Sequence, residues 1–164
     1  MTIHSTHPFA TPPERRDAAR RLRGRLASPV TLWATGEGAS RVGLTVSSIL
    51  VALGDPARVI GLVDPDSDFA LELGEALAVS VLEEGDLGLA EAFAGLAPAP
   101  GGAFRLGEFA DTRWGPVLAG RSWAGVRVES TRQVGWSTEV TGVIQQVSLT
   151  EGTPLVHLRG RYRS

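Results

Sequence analysis

The hydrophobic pattern of the chain changes character near residue 29. Before that point, residues 15–27 mix arginines with Leu and Ala at helical spacing and follow two prolines, which predicts an N-terminal helix. After it come short, continuously apolar runs rich in β-branched residues, which are typical of buried strands. These runs cover residues 30–34, 42–46, 59–63 and 77–82. Gly36-Glu37-Gly38 predicts a hairpin between the first two.

The remainder of the pattern completes a mainly β fold. Residues 68–73, preceded by Asp66 and Ser67 as alternative N-caps, and residues 85–96, opened by Asp86, predict two short helices. Further strands are predicted at residues 123–129, 137–147 and 155–161, with residues 151–154 turning the last pair. We therefore expect a disordered tail over residues 1–11. Residues 12–164 are expected to form one domain, a β-barrel covered by an N-terminal helix and two short helices.

Composition excludes several kinds of chemistry. The chain has no Cys, and all 16 of its basic residues are Arg, so neither a catalytic thiol nor a lysine Schiff base is available. A net charge of −2 argues against a nucleic-acid partner, and no metal-ligand spacing or phosphate-binding glycine loop stands out. No apolar run is long enough for a membrane span, and no signal peptide is evident, so a cytoplasmic protein is expected.

Hydroxyl groups follow two of the predicted strands. Thr45, Val46, Ser47 and Ser48 end the second apolar run, and the polar loop from Asp64 to Ser67 follows the third. Strand ends that present hydroxyls and free backbone N–H groups to one place can cradle a flat cofactor that bears a phosphate. For any single residue, capping of a strand or turn is the more ordinary role.

Seven segments of the chain, taken in order, resemble the flavin reductase-like, FMN-binding split-barrel family. They are SPVTLWAT (28–35), GLTVSS (43–48), GDPARVIGLVDPDS (54–67), LAVSVL (77–82), LAEAFAG (89–95), WGPVLAG (114–120) and PLVHLRGRY (154–162). Each motif is weak by itself, and their common order carries the resemblance.

The resemblance implies a split barrel that binds FMN, with FAD or a deazaflavin as alternatives, and passes hydride from NAD(P)H to the flavin. It also implies a homodimer with the flavin near the interface and a monooxygenase as recipient of the reduced flavin. Thr45, Val46, Ser47 and Ser48 would line the flavin, with backbone groups facing the ring edge. The loop from Asp64 to Ser67 would approach the phosphate and ribityl chain, and Phe93 would lie near the same pocket.

The chain departs from the family pattern in two places. The loop after the third strand is acidic, so Arg41, Arg58 or an arginine of a partner subunit must offset its repulsion of a phosphate. In addition, Gly135-Trp136-Ser137 stands where many members carry Gly-Asp-His, which leaves Trp136 and His157 as candidates for the nicotinamide side. Two alternatives follow: a module that binds FMN or deazaflavin without efficient NAD(P)H turnover, and a barrel that has lost its flavin and serves as an interaction protein.

Overall fold

The fold is taken from a computed structural model that describes residues 13–163, with side chains from residue 18 onward. Helix α1 (Pro13–Arg25) confirms the predicted N-terminal helix. The tail predicted for residues 1–11 lies outside the described residues. Two short helices follow, α2 (Asp68–Glu72) and α3 (Leu87–Phe93).

Twelve strands are present in the described residues. They are β1 (Ser28–Pro29), β2 (Thr31–Thr35), β3 (Val42–Val46), β4 (Ile49–Ala52), β5 (Arg58–Val63), β6 (Ala76–Val81), β7 (Phe109–Asp111), β8 (Pro116–Leu118), β9 (Trp123–Val134), β10 (Ser137–Ser148), β11 (Val156–Leu158) and β12 (Arg161–Arg163). Seven of them form one antiparallel sheet in the order β3-β2-β6-β9-β10-β5-β4. Strands β1, β11 and β12 form a second sheet, and β7 pairs with β8.

The seven-stranded sheet curls into an open barrel around a hydrophobic core. Its inner face carries a core that includes Trp33, Val46, Val63 and Val126. The indole of Trp33 on β2 reaches across to β5, where a Cβ added at Gly61 would meet it. The edge strands β3 and β4 follow each other in the chain, so residues 47 and 48 close the gap between the two ends of the sheet. The split-barrel expectation is confirmed.

Both short helices cover the barrel, as expected. In α2, Phe69 is fully buried and meets Trp33 edge-on, with ring centroids 6.3 Å apart. Helix α3 buries Leu89, Ala90 and Phe93 over β2 and β3, in a second core. It is shorter than the predicted helix over residues 85–96, because a 3-10 turn at Glu84–Asp86 precedes it and Gly95, at φ +74°, follows its end.

Several predicted boundaries are wrong at the end of the chain. The predicted strand over residues 155–161 is a hairpin, because Arg159 and Gly160 adopt positive φ and turn β11 back into β12. Residues 151–154 do not turn a strand pair; they carry the chain from one sheet to the other, and Pro154 bridges Glu83. Strand β9 also runs five residues further than predicted, to Val134, because β10 pairs with it along its length.

Candidate functional site

Ser47 and Ser48 form the corner between the two edge strands. The carbonyl of Ser48 accepts the N–H of Leu62 at 3.0 Å, which ties the corner to β5. The preceding side chain, Val46, points into the barrel core and is only 2% exposed. Ser47 is half-buried and Ser48 exposed, and no hydrogen bond to another described residue engages either hydroxyl. The corner therefore presents two available hydroxyl donors.

These two serines face a cleft of about 390 Å³, a size within the usual range of ligand sites. The opposite walls come from helix α1, strand β1 and the hairpin β11–β12. The side chains that line the cleft with Ser47 and Ser48 are Arg20, Arg23, Ser28 and His157. The cleft therefore unites two of the predicted flavin residues with one predicted nicotinamide residue.

His157 is held on strand β11. Its neighbours are Ser28, its partner across the β1–β11 ladder, and Tyr162, whose ring centroid lies 5.3 Å away. Partial burial lowers the pKa of His157 below its ordinary value, and the nearby positive charge of Arg23 lowers it further. The imidazole is therefore held towards its neutral form.

Two other predicted residues lie where helix α3 packs on β3: Thr45 on the strand and Phe93 at the end of the helix. The Thr45 hydroxyl donates to the carbonyl of Ala90 at 2.8 Å. Phe93 is 7% exposed and packs edge-on against Phe104, with centroids 4.8 Å apart. Both side chains join α3 to β3, so at Thr45 only the backbone remains available to a ligand.

The loop from Asp64 to Ser67 uses its polar side chains to start helix α2. The Ser67 hydroxyl donates to the carbonyl of Asp64 at 2.7 Å and accepts the N–H of Ala70 at 3.2 Å. One carboxylate oxygen of Asp64 accepts the N–H of Asp66 at 2.9 Å. The loop follows strand β5, two residues after the contact between Leu62 and Ser48, so it borders the serine corner.

The two arginines expected to offset this acidic loop are engaged elsewhere. The Nε of Arg41 lies 2.9 Å from Asp111, and the guanidinium of Arg58 makes two hydrogen bonds to Glu129 at 2.8 and 2.9 Å. These contacts lower the pKa of both carboxyl groups. A phosphate at the loop would therefore face Asp64, with no free charge from either arginine.

Trp136 lies at the tip of the β9–β10 hairpin, after Gly135 at φ +58°. Its side chain is 59% exposed. The register pairs Thr138 with Val63, so the tip projects near the end of β5. No contact among the described residues joins Trp136 to the cleft that contains His157.

Sequence reasoning missed Ser28 and the two arginines of the cleft. Arg20 and Arg23 stand three positions apart on α1, which places them on one face of the helix. That spacing is visible in the sequence, but six arginines crowd residues 15–25 and nothing local separates these two from the rest.

The cleft suits an organic ligand with an anionic group better than a metal ion. It offers hydroxyl and cationic donors, and no group of His, Asp or Glu side chains with metal-binding geometry occurs in the described residues. Nor is any helix among them long and apolar enough to cross a bilayer.

Comparison with known proteins identifies the family. The flavin reductase like domain model matches residues 23–164, most of the chain, and the chain belongs to this family. Among curated proteins no match was found.

Solved structures share the fold. NADH:FAD oxidoreductase SgcE6 of Streptomyces globisporus C-1027, in complex with NAD and FAD fragments, is 23% identical, with a TM-score of 0.82 over 94% of this chain and 95% of that one. Flavin reductase HpaC, complexed with NADP+, is 19% identical, with a TM-score of 0.77 over 90% and 96%. BorF, the flavin reductase component of a bacterial two-component tryptophan halogenase, is 22% identical, with a TM-score of 0.77 over 90% and 96%.

Proposed function

We propose that the protein is a flavin reductase-like oxidoreductase that binds FMN and passes hydride from NAD(P)H to the flavin. The observation that carries the proposal is the serine corner, where the unengaged hydroxyls of Ser47 and Ser48 face a cleft with His157 on its far side. Family membership and the structural likeness to proteins named as flavin reductases support it. FAD and deazaflavin remain alternatives for the cofactor.

Each residue of the site contributes the polar groups that the fold leaves unbonded. Ser47 and Ser48 donate hydrogen bonds from hydroxyl and backbone groups to the polar edge of the flavin. Thr45 and Val46 contribute backbone groups, because their side chains are fixed at α3 and in the core. Phe93 supports β3 from behind, and the backbone of the loop from Asp64 to Ser67 borders the ribityl side. When bound, the flavin supplies the capacity to accept hydride, and the protein need only bind, orient and shield it.

Flavin binding tests this proposal directly. Replacing Ser47 and Ser48 together by Ala should weaken FMN binding by about 1–3 kcal/mol, because polar atoms of the ligand lose their donors. Fluorescence titration of FMN with the full chain measures the change, and Ser130→Ala, an exposed serine on β9, is the matched control. An unchanged FMN affinity in the double variant, or no binding by the wild type at tens of micromolar FMN, contradicts the proposal.

The second candidate is a module that binds the flavin without efficient NAD(P)H turnover. It is favoured by the tip of the β9–β10 hairpin, where Trp136 and Ser137 offer no titratable group. Anaerobic stopped-flow reduction of bound flavin separates the two functions. For a reductase we expect Trp136→Ala to slow reduction while FMN affinity changes little, because stacking on Trp136 would position the nicotinamide. If the flavin bound to the wild type is not reduced at all, the protein is a binding module. If wild type and Trp136→Ala are reduced at the same fast rate, Trp136 has no role in the mechanism.

We further propose that the protein works as a homodimer and delivers reduced flavin to a separate monooxygenase. The name of BorF describes a component that serves a second enzyme, and the same division of labour is proposed for this chain. Coupled turnover with a flavin-dependent monooxygenase, compared with and without catalase, tests delivery of the reduced flavin.

A further inference from the structure

We propose that Arg20 and Arg23 of helix α1, with His157, form a binding site for a phosphoryl group of the nucleotide ligand. The identity of that nucleotide rests on the proposed function, whereas the site itself rests on the cleft. This assignment places a phosphoryl group at the α1 wall of the cleft, whose lining does not include the loop at Asp64.

The charge of the cleft favours an anionic ligand. Its lining contains two guanidinium groups, one imidazole and three serine hydroxyls, and none of the described side chains that line it is a carboxylate. The guanidinium groups, the imidazole and the hydroxyls of Ser47 and Ser48 can donate hydrogen bonds to phosphoryl oxygens, and the guanidinium fork fits them in pairs. The Ser28 hydroxyl already donates to the carbonyl of Leu26 at 3.2 Å. The loop from Asp64 to Asp68 has the opposite charge. It carries three carboxylates, and the side chains of Asp64 and Ser67 are already hydrogen-bonded within the loop. A phosphoryl group would be attracted by the first region and repelled by the second.

The α1 wall is fixed to the barrel by a specific contact. The N–H of Arg159, in the turn between β11 and β12, donates to the carbonyl of Gly24 at 2.7 Å. A Cβ added at Gly24 would lie 3.5 Å from the Cα of Arg159, so the helix and the turn are close neighbours. Arg159 holds a φ of +52°, which is unfavourable for a residue with a side chain. The turn accepts this conformation while it anchors the end of α1 beside His157.

Arg23 and a protonated His157 repel each other inside the cleft. Arg23 is close enough to His157 to lower its pKa, in addition to the effect of burial. Arg41, Arg58 and Arg132 each lie within 2.9 Å of a carboxylate, whereas no described carboxylate forms an ion pair with Arg23. An anion between α1 and β11 would place a negative charge beside Arg23 and stabilise the protonated imidazole.

The test compares two double variants with the same change of charge on the same helix. Arg20→Gln with Arg23→Gln alters the cleft, whereas Arg21→Gln with Arg25→Gln alters α1 outside it. Calorimetric titration of the full chain with inorganic pyrophosphate reads the site without any nucleotide. We expect the cleft variant to bind pyrophosphate at least tenfold more weakly and the control to resemble wild type. An equal loss in both variants, or no loss in either, overturns the site.

Nucleotide titrations then identify the source of the phosphoryl group. If the phosphoryl group belongs to the flavin, the cleft variant loses affinity for FMN but not for riboflavin. If the group belongs to the nicotinamide nucleotide, the cleft variant loses affinity for NADPH or NADH while its affinity for FMN is unaffected. Either result supports the site. Flavin and nicotinamide binding that is the same in cleft variant and wild type overturns the inference while the proposed function stands. Loss of pyrophosphate binding in a protein that binds no flavin refutes the proposed function and leaves the anion site in place.

Discussion

At the scale of single residues, Asp86 makes the most demanding polar contacts outside the candidate site. Its side chain is 5% exposed and receives two hydrogen bonds from Arg121, at 2.7 and 2.9 Å. It also accepts the N–H of Glu83 at 2.8 Å, which closes the turn before α3. Hydrogen bonding to Asp86 raises the pKa of Arg121. The carboxylate is therefore fully satisfied as long as Arg121 is present.

Arg121→Gln should lower the free energy of unfolding by about 2–3 kcal/mol, because it leaves a buried carboxylate without its counter-charge. The value lies below that of a fully buried pair, since solvent reaches a quarter of the Arg121 side chain. Urea denaturation measures it. The matched control is Arg132→Gln, which breaks the exposed pair with Glu139 and should leave the midpoint unchanged. Equal effects of the two substitutions would contradict this account.

Arg23→Gln should raise the pKa of His157 towards its ordinary value, because one positive charge beside the ring is removed. Arg20, which lines the same cleft, and Tyr162, whose ring packs against the imidazole, stay in place. A histidine whose folded pKa is lowered binds fewer protons than the unfolded chain. The free energy of unfolding therefore decreases as pH falls from the pKa of the unfolded chain, about 6.5, through the folded pKa. The Arg23→Gln variant should lose less of this free energy than wild type. NMR titration of the ring protons measures the pKa, with Arg25→Gln as control; no difference between them rejects the placement of Arg23.

At the scale of elements, strand β3 packs closely against helix α3. A Cβ added at Gly43 would lie 2.9 Å from the Phe93 ring and 3.3 Å from Leu32. The ring cannot withdraw easily, because Phe104 and Phe109 hold its other sides with centroids 4.8 and 6.1 Å away. This close approach places α3 directly behind the strand that leads to the serine corner.

Gly43→Ala should therefore destabilise the protein by about 1–3 kcal/mol through overpacking. Gly88→Ala is the matched control, because Gly88 lies in α3 with no atom within 4 Å of the added Cβ. Removing a glycine from a helix should stabilise it by about 0.5–1 kcal/mol. Thermal unfolding of both variants measures the difference, and a Gly43→Ala protein as stable as wild type would show that α3 can shift away from β3.

At the scale of the whole molecule, an apolar groove of about 380 Å³ surrounds the edge strand β4. Leu50, Val51, Val147 and Leu149 border it and are each more than half exposed, while polar groups are almost absent. An exposed apolar patch on an edge strand with free backbone groups is typical of a surface that another chain covers. The second copy required by the proposed homodimer is the occupant we expect.

Sedimentation of the wild-type protein should therefore give a dimer. Replacing Leu50 and Val147 together by Asp should shift it to a monomer, since the charges would be buried at the interface without partners. Leu71→Asp is the control, because Leu71 is equally exposed but lies on α2, outside the groove. A wild-type protein that sediments as a 17.3 kDa monomer at every concentration tested would contradict the prediction.

The sequence by itself determined most of the elements and the class of fold. Residues such as Val59 and Val63 predict a buried strand through a pattern that their near neighbours complete, and Ser67 predicts a helix start within three residues of the amide it caps. The ordered motifs also identified the family. What local pattern missed are the short strands β1, β4, β7 and β8. Each is too short for a periodic pattern and is defined by its pairing: β4 with β5 and β7 with β8 nearby in the chain, and β1 with the distant β11.

Only the tertiary structure decided which polar groups remain free and which of them meet. Thr45 and Ser67 carry the same hydroxyl chemistry as Ser47 and Ser48, but contacts with Ala90 and Ala70 use theirs within the fold. Arg20, Ser47 and His157 belong to elements far apart in the chain, brought to one cleft by the docking of α1 on the β11–β12 turn and the closure of the barrel. Periodicity reports which side of an element a residue occupies. It carries no information on what packs against that side, because those contacts come from distant parts of the sequence.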